Sequence, residues 1–558
     1  MARRSFPLKG ALLLLAGALS LSACSVLSGG SDATPKPTAT TALPSTDWKT
    51  APATRVASGG ELRLAVQTLP ANFNPQHADG ALGEASTILG PTSGGAVRIT
   101  KDGGWKVDPD YATSVRMVDK SPLTIEVKLN PRAVWQGGTP ITSKDMVAFW
   151  KAQNGEDDDF EVASTKGYED ISDVRTGDDR FSYEVVFDSP TAEWPLYVYP
   201  RLSANVSSSP KLFNTAFTTR APSSNGPFMV TAIDAATGTV TEKANPRWWG
   251  KKPKLGSIVW RIATPAVQAA AYSAGELDAI TVDATNYATA RKHGSLQQVA
   301  GTEWTQLTLN GARGPLKDAN VRRAVAHAID RDKIADTAAE GVGLKGVALG
   351  SVVYVPGQRG YVDSSAALTF DLAEARRLLA KAGYAAGSDG VLARQGKQLK
   401  LTMPVPSETP ANSERARAIQ HDLRKVGIVV DIASVPASSF FTGRVVSLDF
   451  DLVTFAWRGS AFPIAAAQDR FYPIDSSQNF TGLADKVVDD AFDKAEGTLA
   501  EPVRFSRIAE LDRRIFGRPV MVPLGVTPIV MAVSDKLRNY GAAQFEQPDW
   551  TLVGFVKK

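Results

Sequence analysis

Leu62, Leu64 and Val66 alternate with polar neighbours in "GELRLAVQT" (Gly60 to Thr68), the two-residue period of a half-buried strand. The same alternation returns in "LTIEVKLNP" (Leu123 to Pro131) and "FSYEVVFDSP" (Phe181 to Pro190), each ended by Asn or Pro, which stop a strand ladder. "GPFMVTAIDAATGTVTEKANPRWWG" (Gly226 to Gly250) reads as two strands turning at Ala236–Gly238. Helices in this half are short, such as "SKDMVAFWKAQ" (Ser143 to Gln153), so the first half of the chain is mostly β.

In the second half the period lengthens. "DANVRRAVAHAIDRDKI" places Val321, Ala324, Val325, Ala328 and Ile329 on one helical face. "DLAEARRLLAKAG" opens with Asp371 and Glu374 at capping-box spacing and carries a stripe of Leu372, Ala375, Leu378, Leu379 and Ala382. It stops at Gly383, where a left-handed residue is needed. "SERARAIQHDLRKVG" (Ser413 to Gly427) turns Ala416, Ile419, Leu423 and Val426 inward. The strands "LKLTMPV" (Leu399 to Val405), "IVVDIASV" (Ile428 to Val435) and "FDLVTFAW" (Phe450 to Trp457) surround it. Strand, helix, strand is the pattern of a parallel, right-handed, helix-covered sheet. No internal repeat is present. The expected fold class is α/β: two lobes with an additional β-rich subdomain, because about 500 globular residues exceed what one core spans.

The N-terminus is built differently. Arg3, Arg4 and Lys9 precede Gly10 to Ala23, an uncharged stretch of fourteen residues. A spanning helix needs roughly 20 apolar residues, so this stretch reads as the apolar core of an export signal. Arg3-Arg4-Ser5-Phe6 also resembles a twin-arginine signal, which Pro7 interrupts, so either export route fits. The signal ends in Leu21-Ser22-Ala23-Cys24, and Cys24 is the only cysteine of 558 residues. An aliphatic residue, two small residues and a cysteine resemble the lipobox of bacterial lipoproteins, which implies that Cys24 is acylated. Each buried methylene of an acyl chain contributes about 0.8 kcal/mol, so several chains anchor a soluble body to a membrane. Residues 24–57, as in "SGGSDATPKPTATTALPST", are rich in Ser, Thr, Pro, Ala and Gly and are expected to form a disordered leash.

Charge and chemistry narrow the function. Removing residues 1–23 takes away Arg3, Arg4 and Lys9 and no acid, so the formal charge falls from +4 to +1. That balance gives no electrostatic footprint for nucleic acid. His77, His293, His327 and His421 lie far apart with no metal-ligand spacing, and there is no Gly-x-Ser-x-Gly or phosphate loop. Ser208-Ser209-Pro210-Lys211 fits the Ser-x-x-Lys pattern of penicillin-binding enzymes but lacks a following Lys-Thr-Gly and sits in a serine run. The expectation is no catalysis, no cofactor and no metal.

Several stretches, in order, resemble the oligopeptide- and dipeptide-binding branch of bacterial extracellular solute-binding proteins. "YATSVRMVDKSPLTIEVKLNPRAVWQGGTPITSKDMVAFWKA" carries Trp135, Gly138, Thr139, Pro140 and Asp145 in the places of that branch's signature. "NGPFMVTAID" with "ANPRWWGKKPKLGSIVWRI", "AVQAAAYSAGELDAI" and "LTLNGARGPLKDANVRRAVAHAIDRDKI" are similar to its later elements. The resemblance implies a two-lobe binding-protein fold with a discontinuous first lobe (58–100, 221–305 and 523–558). Residues 101–220 would be an inserted subdomain and 306–522 the opposite lobe. It also implies a monomeric, lipid-anchored receptor on the outer face of the cell membrane. Such a receptor binds peptides in a cleft and delivers them to an ABC permease and its ATPase. The same cleft could hold a metal chelate, haem or an oligosaccharide, or serve a sensor or chaperone.

The resemblance also points to site residues. Asn72, Asn74 and Gln76 fall in the first cleft loop, although a Pro-rich surface turn would use Asn equally well. Asn310 ends a strand at the lobe crossing, or caps the turn "NGARG". In "FDLVTFAWRGSAFP", Trp457 occupies a cleft-lining place or fills the core. Ser460 stands where family members carry the acid that pairs with a peptide ammonium. Asp449, Asp451 or Asp469 could replace that acid, and Arg458 could instead meet a carboxylate or phosphate.

Overall fold

The computed structural model describes residues 43–557 apart from 82, 472–475 and 477. Cys24, the signal stretch and most of the expected leash lie outside the described residues.

In the first lobe, the strand Glu61–Val66 runs parallel to Ser257–Ile262, and Thr239–Ala244 and Phe228–Asp234 complete the sheet antiparallel. The predicted alternation decides which face is buried: Leu62, Leu64 and Val66 pack against Phe228, Ile258 and Trp260. Gly238, at φ +63°, makes the tight turn between two of these strands.

The inserted region is a four-stranded antiparallel sheet of Ala112–Lys120, Leu123–Leu129, Ser182–Phe187 and Ile171–Thr176. It has its own core, with Ile125, Val127, Phe149, Val185 and Phe187 at the centre. The helix Ser143–Gln153 covers that core and starts at a capping box between Thr142 and Asp145. Asp145 also accepts from Trp135 Nε1 (3.1 Å) and Ala204 N (2.8 Å). The signature residues Trp135 and Asp145 therefore hold this subdomain together.

In the second lobe, Lys400–Pro406 and Val429–Val435 pair parallel, with the helix Pro410–Arg424 between them in sequence, as the pattern requires. The third strand departs from the parallel expectation. Leu452–Arg458 is antiparallel to Glu303–Leu309, which is antiparallel to Met521–Val526. The strand Glu303–Leu309 arrives from the other lobe and occupies that edge, so the sheet system is mixed.

Two helix expectations are refined. The run through Ile329 breaks after Ala328; Ile329 is extended, and Asp330 caps a second helix, Arg331–Glu340, by accepting from Lys333 N. Asp371 caps Leu372–Lys381, but Glu374 turns to Arg377 (2.6 Å) and leaves the box unclosed. Gly383 takes the left-handed conformation, φ +83°.

Two extended segments join the lobes. One runs from Ser295–Val299 into Glu303–Leu309, the other from Met521–Val526 into Ile529–Val533. They stay paired across the junction: Val299 faces Ile529, Trp304 faces Val526, and Thr527 N donates to Glu303 O (2.8 Å). Gly301 sits inside this crossing, where a Cβ would lie 1.6 Å from Thr527 O.

Residues 44–57, assigned by composition to the leash, are ordered against the C-terminal segment and the crossing. Thr46 bridges Ala543, Val56 bridges Val556, and Ala300 N donates to Pro44 O (3.1 Å). Asn539 clasps Ala51 through both of its backbone groups (2.9 and 3.0 Å). These partners are about 250 to 500 residues away in sequence, so local composition carries no trace of them. Among the described residues no helix is long and apolar enough to cross a membrane.

Candidate functional site

Two cavities border the inserted subdomain, and the ring of Tyr197 lines both. The first, about 360 Å³, lies against the first lobe: Gln76, Ser86 and Thr92–Gly94 form one wall, and Tyr168, Tyr197 and Arg201 the other. The second, about 560 Å³, lies against the second lobe and is walled by Lys166, Glu169, Asp170 and Thr191 opposite Gln468, Asp469, Asp493 and Glu496. Both fall within the range that small solutes occupy.

Aromatic packing fixes the shared wall. Tyr197 meets Tyr168 edge-on at 5.2 Å, and Gly167 (φ +77°) leaves room for that ring, since a Cβ there would lie 2.1 Å from it. Burial raises the hydroxyl pKa of both tyrosines, Tyr168 to about 12. They are therefore neutral donors at physiological pH.

The two cavities differ in charge. Arg201 is exposed and, among the described residues, makes neither a hydrogen bond nor an ion pair; its charge acts on the Tyr168 and Tyr199 hydroxyls. A guanidinium presents a planar fork of donors suited to a carboxylate or phosphate. In the second cavity Lys166 is the single cation among five acids, and it is held by Asp469 Oδ1 and Ala465 O, both at 2.7 Å. One chamber thus suits an anionic group and the other a cationic one.

Of the polar residues expected from sequence to face the solute directly, Gln76 lines the first cavity. Asn72 and Asn74 are buried, and their amides stitch the loop to the helix Pro210–Thr215: Asn72 Nδ2 donates to Asn214 O (2.9 Å), Asn74 Nδ2 to Phe213 O (3.2 Å). Asn310 is buried too, donating to Leu448 O (3.0 Å) and Phe450 O (3.1 Å). These amides serve the backbone, which corrects the expectation that they face a solute.

Trp457 is 3% exposed and belongs to the second-lobe core. Arg458 and Ser460 are exposed and border neither cavity; Ser460 Oγ donates to Phe462 O (2.7 Å). Of the three acids that could replace the missing carboxylate, Asp449 pairs with Arg313 and Arg444, and Asp451 accepts from Thr402 N. Asp469 is the one at a cavity. Arg201, Tyr168, Tyr197 and Lys166 were missed: "WPLYVYPRL" is rich in rings, but nothing in its spacing marks an isolated arginine.

Comparison with known proteins agrees with this architecture. Residues 106–479 match the model of the bacterial extracellular solute-binding proteins, family 5. The oligopeptide-binding protein OppA of Mycobacterium tuberculosis is 33% identical over 517 residues, covering 91% of this chain and 86% of that protein. Among solved structures, the periplasmic EDTA-binding protein EppA superposes with a TM-score of 0.83 at 24% identity, over 92% of this chain and 99% of the other. The oligopeptide-binding protein AppA of Bacillus subtilis, in complex with a nonapeptide, superposes with a TM-score of 0.71 at 19% identity, over 90% and 100%.

Proposed function

The chain belongs to the bacterial extracellular solute-binding proteins of family 5, and from that membership we propose that it captures peptides at the inserted subdomain and delivers them to its permease. As a member of that family it is a transport receptor of an ABC importer and not an enzyme. ATP hydrolysis belongs to the partner ATPase.

The observation that carries the peptide reading is the guanidinium of Arg201, unpaired among the described residues and separated by Tyr197 from the acid-lined second cavity. A peptide is dipolar, with a carboxylate for Arg201 and an ammonium for the acids around Asp469. Ser460 leaves the loop after Trp457 without a carboxylate, and Asp469 lies nine residues further on at the edge of the acid-lined chamber.

Titration calorimetry with peptides and their C-terminally amidated forms tests this. Arg201→Ala is expected to weaken binding of the free carboxylate about 10- to 100-fold, about 1.5–3 kcal/mol for a charge-assisted pair. The amidated form should bind both proteins alike, and the melting temperature should stay put because Arg201 holds no other group in place. Equal loss for both forms would refute carboxylate recognition.

A second reading, an anionic metal chelate, is favoured by the same unpaired Arg201 and by the fold shared with an EDTA-binding protein. Native mass spectrometry of the purified protein separates the two by the mass of what co-purifies.

The anchor is part of the proposal. Cys24→Ala is expected to move the protein from the membrane fraction to the supernatant with ligand affinity unchanged; continued membrane retention would defeat the lipidation reading.

A further inference from the structure

The segment Thr191–Glu193 of the inserted subdomain is fastened to the second lobe by carboxyl groups. Glu193, 2% exposed, accepts from Ile464 N (2.7 Å) and Ala465 N (3.2 Å) at the start of the helix Ile464–Gln468. Ala192 N donates to Glu496 O (2.8 Å), and Thr191 Oγ1 bonds to the Glu496 carboxylate. The other Glu496 oxygen is sealed from solvent and has no partner among the described residues. Lys166 completes the seam through Asp469 and Ala465 O.

Two acid side chains from opposite bodies therefore come together at the edge of the second cavity. Rotation of the second lobe about the crossing at Gly301 moves Ile464 and Glu496 relative to Glu193 and Thr191, so these bonds break when the lobes part. The charged and titratable groups around it are Lys166, Asp170, Tyr197, Asp469 and Asp493, with Arg504 and Tyr354 behind Glu496. Lys166 is committed to Asp469, and Arg504 Nη1 to Thr498 O. Neither cation neutralises both carboxylates.

We propose that this seam is a proton-operated clasp: Glu193 and Glu496 hold a proton between them while the lobes are closed and release it to solvent when the lobes part. Burial pushes both acids up, and the Glu496 carboxyl adds to it at Glu193, which rises to about 8. Opening hydrates them and returns them to the ordinary carboxylate range. The closed form thus binds more protons than the open form. Closure is fully favoured in acid, and this contribution is lost as pH rises from the ordinary carboxylate range to about 8. Each proton taken up changes the closed-to-open ratio by up to tenfold per pH unit. The clasp operates without solute, so it stands whether the captured molecule is a peptide or a chelate.

Small-angle scattering of the ligand-free chain tests the clasp. The radius of gyration is expected to be smaller at about pH 5.5 than at about pH 8.5. Glu193→Gln, which keeps an acceptor for Ile464 N but cannot ionise, is expected to flatten this response. Glu496→Gln should do the same independently, so a failure of one variant to fold leaves the other to decide. His77 meets Glu161 at 3.0 Å, but this contact joins the first-lobe loop to the inserted subdomain and lies outside the seam. His77→Gln is therefore expected to keep the response. A wild-type radius indifferent to pH, glutamine variants that respond as the wild type does, or loss of the response in His77→Gln would each overturn the proposal.

Discussion

Replacing Trp457 by alanine is expected to lower stability by about 3–5 kcal/mol, the usual cost of emptying a buried indole site. Its ring packs on Phe455 at 5.2 Å, lies nearly parallel to Phe480 at 6.1 Å and carries the guanidinium of Arg470 at 4.7 Å. Arg470 is itself buried and sits over Trp304 on its other side, at 5.3 Å. Removing Trp457 therefore takes apolar contact from two rings and cation–π support from a buried charge at once. Urea unfolding checks this, and the solute affinity of the remaining folded protein should match the wild type. A stable variant that has lost its ligand would return Trp457 to the cleft.

Gly301→Val is expected to be at least as damaging. A carbon 1.6 Å from Thr527 O cannot be relieved by a rotamer, because the obstacle is main chain. The two crossing segments must separate, and the bond from Thr527 N to Glu303 O is lost with them. A penalty of more than about 3 kcal/mol follows from strain and a broken strand pair together. Thermal denaturation against Gly137→Ala is the comparison, since a Cβ on Gly137 meets nothing within 4 Å. A Gly301→Val protein that melts with the wild type would show that the crossing can yield.

Periodicity located the strands and helices because burial on one face is a local property of the sequence. Leu62, Leu64 and Val66, and the stripe Ala416, Ile419 and Leu423, are buried as their spacing requires. Pairing partners are not local. Nothing within Phe450 to Trp457 says that its neighbour is an antiparallel strand from 150 residues earlier, and the ordered stretch 44–57 has the composition of a leash.

The site divides along the same line. The sequence places Asn72, Asn74 and Asn310 at turns, but whether an amide faces the backbone or a solute depends on tertiary contacts, and here all three serve the backbone. Arg201 matters through the absence of a counter-ion, which no pattern of neighbours in sequence expresses. Glu193 and Glu496 are ordinary acids until two separately folded bodies press them together.

The clamping of residues 44–57 beside Ala300 fixes where mechanical load enters the molecule. Any pull from a membrane-bound N-terminus is applied next to the pivot and on the body that holds the C-terminal strands. Its lever arm about that pivot is short, so such a force exerts little torque on the swinging half. Under the anchoring proposed for Cys24, drag from the bilayer would leave the receptor's breathing almost untouched.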